Sequence, residues 1–276
     1  MSETQRPAPA TPGPPSRGEL LLYKAARAFA VGISRLYLPG RVVGRENLPA
    51  TGAYLLAPVH RSYVDWLIVG RVTGRRRMRF IAKAEIWRSK IVGRILETLG
   101  VFPVNRSGAD REALERCHEV LAGGEPLVMF PEGTRRSGPL VSDLREGVAY
   151  LALRAGVPVV PIGIGGSEKA MPRGSAIPRP HRVEVVIGRP IWPPSTPPAT
   201  GTAAGAEPAA TAAGDRPVAS EGASEPGEGA DASEPASRRK TGRVSRRATK
   251  EFSEEIAAGM QAVFDEAQRR AGVKLP

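Results

Sequence analysis

Residues 126–164 read PLVMFPEGTRRSGPLVSDLREGVAYLALRAGVPVVPIGI, and this stretch decides the fold. It opens and closes on apolar runs, PLVMF and VPVVPIGI, that show no polar alternation. A strand with one solvated face alternates, whereas a strand covered on both faces does not. Between the two runs, residues 144–154 (LREGVAYLALR) carry apolar side chains at helical spacing. Buried strand, helix, buried strand is the repeating unit of an α/β fold with a parallel sheet.

The same alternation extends to either side. Strands are expected over 41–43, 53–57, 79–82, 101–104, 127–130, 159–163 and 183–187. Helices are expected over 63–72, 89–99, 111–122 and 144–154. The fold class is therefore α/β, a largely parallel central sheet flanked by helices. Residues 1–18, polar and Pro-rich, read as a disordered arm. An amphipathic basic helix over 19–38 follows, with Leu22, Ala26, Phe29, Ile33 and Tyr37 in register and Lys24, Arg27 and Arg35 between them. Its apolar stripe could pack on the core or lie on anionic lipid. The domain is expected to run over 19–192. Residues 193–250 hold almost no large apolar side chain, turn acidic and then basic, and read as a disordered linker. A C-terminal helix over 251–276 presents Phe252, Ile256, Met260, Val263 and Phe264 on one face. A helix of that length is marginal alone, so it should dock back on the domain.

Composition narrows the classes. Apolar residues are 41% of the 276-residue chain, enough for a core. A single cysteine, Cys117, excludes a disulfide framework and a thiolate zinc site and suits a reducing compartment, so no metal is expected. The net charge of +12 calls for an anionic partner. No RNP-like, zinc-finger or helix-turn-helix signature is present, so nucleic acid is not expected. No run approaches the ~18–20 apolar residues of a membrane span. No hydrophobic signal region opens the chain, so a cytoplasmic protein, peripheral on the inner face of the membrane, is expected. Basic residues crowd 71–94 with Ile86, Trp87, Ile91 and Val92 among them, which fits either a solvated face or a membrane-interface patch.

Candidate chemistry gathers at strand ends, where α/β sheets place their ligands. His60 follows the 53–57 run, and Asp65 stands at H-x4-D spacing. On one regular helix, residues five apart point about 140° away from each other. They meet only if His60 sits in a loop and Asp65 in the first helical turn. The carboxylate would then hold the imidazole tautomer and leave a basic nitrogen; otherwise His60 is an ordinary strand-end histidine. Ser62 is near, but no G-x-S-x-G elbow surrounds it, which counts against a serine hydrolase. A base without its own nucleophile activates a hydroxyl brought by the substrate. After the 127–130 strand, Glu132, Gly133 and Thr134 are expected to supply a turn with exposed backbone N–H groups, and Arg135 and Arg136 add charge. Such a turn suits a phosphate, or is simply a type I turn with solvated arginines. Residues 100–106 end on Arg106, and 157–164 reads from its residues alone as core.

Taken together, HRSYVD (60–65), GVFPVNR (100–106), FPEGTR (130–135) and VPVVP (157–161) resemble the four blocks of the glycerolipid acyltransferases, the 1-acylglycerol-3-phosphate acyltransferases and their relatives. The resemblance covers roughly 38–190. It implies that His60 is the general base on an acceptor hydroxyl that attacks an acyl thioester directly, with Asp65 orienting it. It implies that Arg106, Glu132, Gly133 and Arg135, with Thr134 in the same turn, bind the acceptor phosphate, and that 157–161 lines the acyl or acceptor pocket. The expected function is transfer of a fatty acyl group from acyl-CoA or acyl-carrier protein, a co-substrate rather than a cofactor, to a lysophospholipid, 1-acylglycerol-3-phosphate first among them. The alternative is a non-catalytic anionic-membrane-binding protein on the same fold. Two departures from the family pattern stand out: Val59 precedes His60 where asparagine is frequent, and the second block reads PVNR.

Overall fold

The computed structural model describes residues 16–72, 76–104, 110–172, 174–175, 177–194 and 244–273. The arm over 1–15, linker residues 195–243 and Arg106 lie outside them.

The first helix, α1 (Arg17–Tyr37), starts two residues before the expected position 19. Ser16 explains the difference: its hydroxyl accepts from the Glu19 N–H while the Glu19 carboxylate accepts from the Ser16 N–H. This reciprocal capping satisfies helix-end donors that the stripe does not reveal. Then follow β1 (Val42–Val43), β2 (Leu55–Pro58), α2 (Asp65–Val69), β3 (Arg79–Lys83) and α3 (Lys90–Thr98). After them come β4 (Val101–Val104), α4 (Asp110–Ala122), β5 (Leu127–Val128), α5 (Gly147–Ala155) and β6 (Val159–Gly165). The chain closes with a short α6 (Ser167–Ala170), β7 (Glu184–Ile187) and α7 (Arg246–Arg270).

The strand order is β1-β7-β6-β2-β5-β3-β4. Every neighbouring pair from β6 through β4 is parallel. At the other edge β7 runs antiparallel to β6 and parallel to β1. The parallel centre carries the most buried strands: all four residues of β2 and all seven of β6 are buried. That burial is what the unalternated runs require. Residues 157–161, given a pocket-lining role by family resemblance, belong to this core and are not among the residues that line the cavity beside His60.

On one side α4 packs on β5, α5 on β2 and α7 on β6. A second group, α1, α2 and α3, packs together, α1 touching α2 and α3, and α3 touching β4. The C-terminal helix begins at Arg246 rather than near Phe252. Ser245 caps it by accepting from the Ala248 N–H at 3.0 Å, so the basic run that reads as linker forms its first turns. Phe252, Ile256, Met260, Phe264 and Ala267 are buried against the sheet. The fit is close enough to dictate sequence on the strand below. A Cβ on Gly163 would lie 2.0 Å from the Val263 carbonyl oxygen, and one on Gly165 would lie 2.1 Å from that of Ala267. Glycine in β6 therefore lets a helix backbone rest directly on a strand.

Candidate active site

β2 and β5 are hydrogen-bonded neighbours, Leu55 beside Leu127 and Leu56 beside Val128. Their carboxyl ends consequently point the same way, and the loops that follow them meet although 72 residues separate His60 from Glu132. This juxtaposition builds the site.

His60 lies in the loop after β2, and Asp65 is the first residue of α2. The imidazole Nδ1 is 3.1 Å from Asp65 Oδ2. That same oxygen accepts from the backbone N–H of Arg61 and of Ser62, each at 2.6 Å. The aspartate thus folds the loop around itself, which is why α2 begins at Asp65 and not at Tyr63. Asp65 is fully buried, whereas the His60 side chain retains 21% exposure. With Nδ1–H given to the carboxylate, Nε2 is left as the basic nitrogen. The Phe130 ring packs on the imidazole with centroids 4.3 Å apart.

Ser62 is excluded as a nucleophile. It is buried, and its hydroxyl donates to the Met171 carbonyl at 3.0 Å.

Glu132 differs from its expected place. Its carboxylate is buried, with one oxygen accepting from the His60 N–H at 2.6 Å and the other from the Arg61 guanidinium. Both oxygens are engaged inside the protein, so Glu132 holds the His60 loop instead of meeting a phosphate. Arg61 is buried in turn, donates to the Leu140 carbonyl at 2.9 Å and lies 4.7 Å above the Phe264 ring of α7. Arg61 has no assigned role in the sequence. Its only local signal is a charge between two residues of a candidate site, and its partner is visible only once β2 and β5 are known to be adjacent.

Gly133, Thr134 and Arg135 do face the site: with His60, Tyr63 and, from α1, Tyr23 and Arg27, they supply the polar lining of a cavity of ≈ 600 Å³. Gly133 takes a left-handed φ of 64°, and a Cβ there would strike the Arg145 side chain at 2.4 Å, so this turn needs glycine. Arg135 stacks over the Tyr63 ring, 3.2 Å from its centroid. The other walls are mostly apolar and come from α1, α2, β3, α3 and β4, among them Val31, Leu67, Phe80, Leu96 and Val101. A proton acceptor and an arginine thus stand beside an apolar cavity of a size suited to a lipid chain.

Residues 40–165 match the model of the Acyltransferase family, a span that includes the His60 loop and the Glu132–Arg135 turn. That segment is similar to the acyltransferase family. Within it, the chain resembles 1-acyl-sn-glycerol-3-phosphate acyltransferases: the chloroplastic LPAT1 of Arabidopsis thaliana is 33% identical over 154 residues, 54% of this chain and 43% of that protein. The enzyme of that name from Bacillus subtilis is 27% identical over 151 residues, 55% of this chain and 73% of the relative. Among solved structures, the 1-acyl-sn-glycerophosphate acyltransferase PlsC from Thermotoga maritima superposes with a TM-score of 0.56 at 26% identity, over 65% of this chain and 72% of that one. The chain spans less than half the length of the chloroplastic relatives it matches.

Proposed function

We propose that this chain transfers a fatty acyl group from acyl-CoA or acyl-carrier protein to the free hydroxyl of a lysophospholipid, 1-acylglycerol-3-phosphate foremost. The observation that carries the reading is the His60–Asp65 pair opening on the cavity that Arg135 also lines. In the proposed reaction Nε2 of His60 takes the acceptor's hydroxyl proton as the oxygen attacks the thioester carbonyl carbon. The tetrahedral intermediate collapses, the carbon–sulfur bond breaks, and the leaving thiolate recovers the proton from the imidazolium. The products are an ester and a free thiol, and no acyl-enzyme forms. Asp65 stabilises the transient imidazolium across the 3.1 Å contact. Arg135 binds the acceptor phosphate, with Arg106 as a second candidate from outside the described residues.

The substrates are lipids, and the surface fits a membrane. Among the described residues no helix is long and apolar enough to cross a bilayer. Leu36 on α1 and Ile91 on α3 are 87% and 76% exposed, with Leu21, Phe29 and Ile95 also exposed on those two helices. Both helices also wall the cavity. We assign this face to the anionic inner surface of the membrane, the bilayer supplying the acceptor.

The test is to incubate the full chain with acyl-CoA or acyl-carrier protein and vesicles carrying 1-acylglycerol-3-phosphate, and to identify the product by mass spectrometry. His60→Ala should make no product while its circular dichroism and vesicle binding match wild type. Retained turnover in that variant would overturn the mechanism. A wild-type chain that binds vesicles yet acylates no lysolipid would favour the non-catalytic reading.

A further inference from the structure

The segment that matches the acyltransferase family ends at residue 165, yet the His60 loop is held from beyond it. Gln261 of α7 grips the loop after the Glu132–Arg135 turn at two points. Its Oε1 accepts from the Val141 N–H at 2.7 Å, and its Nε2 donates to the Pro139 carbonyl at 2.9 Å. Nε2 also donates to Asp265 Oδ1 at 2.7 Å, which fixes which way the amide points. Between the two gripped residues stands Leu140, whose carbonyl accepts from Arg61. Arg61 donates to Glu132, and Glu132 accepts from the His60 N–H. One turn further along α7, Phe264 packs beneath the same Arg61 guanidinium. A continuous series of hydrogen bonds therefore runs from the C-terminal helix to the backbone of the candidate base.

We propose that Gln261 is a positioning residue for the acyl transfer, acting through the loop over 139–141, Arg61 and Glu132 to fix His60, so that α7 is part of the working enzyme and not only a cover for the sheet. The inference rests on the proposed function for its kinetic consequence, but not for its structural one.

α7 contains its own control. Gln268, nearly two turns on, also reaches past the end of β6, its Oε1 accepting from the Gly166 N–H at 3.1 Å, so its side-chain contact is not to the loop over 139–141, Arg61 or Glu132. The experiment compares full-length Gln261→Met with full-length Gln268→Met, each near-isosteric and each losing an amide contact. Gln261→Glu serves as a second variant, since it keeps an acceptor for Val141 and sets a carboxylate against the Pro139 carbonyl. Carbon and nitrogen shifts of the His60 ring, assigned by loss of the signal in His60→Asn, are read alongside kcat and KM for 1-acylglycerol-3-phosphate. Both Gln261 variants should displace the His60 ring signals and lower kcat about 10- to 100-fold, the scale expected for misplacing a reacting group by a fraction of an ångström to one ångström. KM should stay within about threefold, because the cavity walls are untouched. Gln268→Met should lower thermal stability and leave both the His60 signals and kcat at wild-type values.

The proposal falls if the His60 signals in the Gln261 variants coincide with wild type, or if Gln268→Met disturbs them equally. If the wild-type chain acylates no lysolipid, the proposed function fails by itself, and the comparison of His60 signals still decides whether Gln261 positions that residue.

Discussion

Replacing Arg61 by methionine tests how the His60 loop is held. The Arg61 and Glu132 side chains are 1% and 0% exposed. Removing one partner leaves a buried carboxylate whose remaining described contact is the His60 N–H. An uncompensated buried charge of this kind costs about 3–5 kcal/mol. In a domain of this size about 1 kcal/mol corresponds to roughly 2–4 °C in Tm, so Arg61→Met should lower Tm by about 6–20 °C. Glu132→Gln alone strands the arginine instead and should cost a similar amount. The double variant removes both charges while Gln keeps an acceptor for the His60 N–H. It should recover most of the loss, giving a coupling energy of about 2 kcal/mol or more. Denaturant unfolding of the four proteins measures the cycle, and, on the proposed function, thioester-dependent turnover measured in parallel should fall in every variant. Singles that cost under about 1 kcal/mol and simply add would refute a buried, mutually dependent pair.

Three further outcomes are expected. Gly163→Val, whose Cβ would meet the Val263 carbonyl of α7 at 2.0 Å, should lower Tm by about 3–10 °C or unseat α7, read by hydrogen exchange along the helix; an unchanged Tm would contradict the contact. Burial pushes the Cys117 thiol from 9.0 up to about 12, so the native protein should resist thiol reagents near pH 8 and react once unfolded; because the folded state holds this proton more tightly, stability should decline as pH rises from 9.0 towards about 12, and rapid native labelling would contradict the burial. Ile91→Asp with Ile95→Asp, both exposed and neither lining the cavity, should weaken vesicle binding by roughly 100-fold, the equivalent of losing about 3 kcal/mol of apolar burial; unchanged co-sedimentation would remove α3 from the membrane face.

The strands were legible because each is a short apolar run set between Gly, Pro or polar residues, a local property. The His60–Asp65 contact was legible for a different reason: helix periodicity forbids it within one helix, so the loop-then-helix arrangement was the remaining way for the two to meet. Helix ends were less visible where caps decide them, as at Ser16 and Ser245. The role of Glu132 could not be read locally. In sequence it is an acid in a turn beside two arginines, and solvent-facing chemistry is the natural expectation. Its burial follows from β5 lying against β2, which brings Arg61 and the His60 N–H to it. Gln261 was invisible for the same reason, since its partners lie 120 and 122 residues away.

The strand order also separates two demands that an acyltransferase of this kind would make. A base must be held to within fractions of an ångström, whereas a cavity for lipid chains must admit flexible, variable guests. Here His60 is fixed from below by β2, β5, the Arg61–Glu132 pair and α7, all on the buried side. The cavity is walled largely by α1, α2 and α3, which belong to the other packing group and carry the exposed apolar side chains. Movement of α1 or α3 against a bilayer could therefore widen the cavity without passing through the contacts that set His60. On the proposed function, this predicts that membrane-face substitutions act on KM for the lipid acceptor, while Gln261, Arg61 and Glu132 substitutions act on kcat. A membrane-face variant that lowers kcat at saturating acceptor would show that the two halves are not independent.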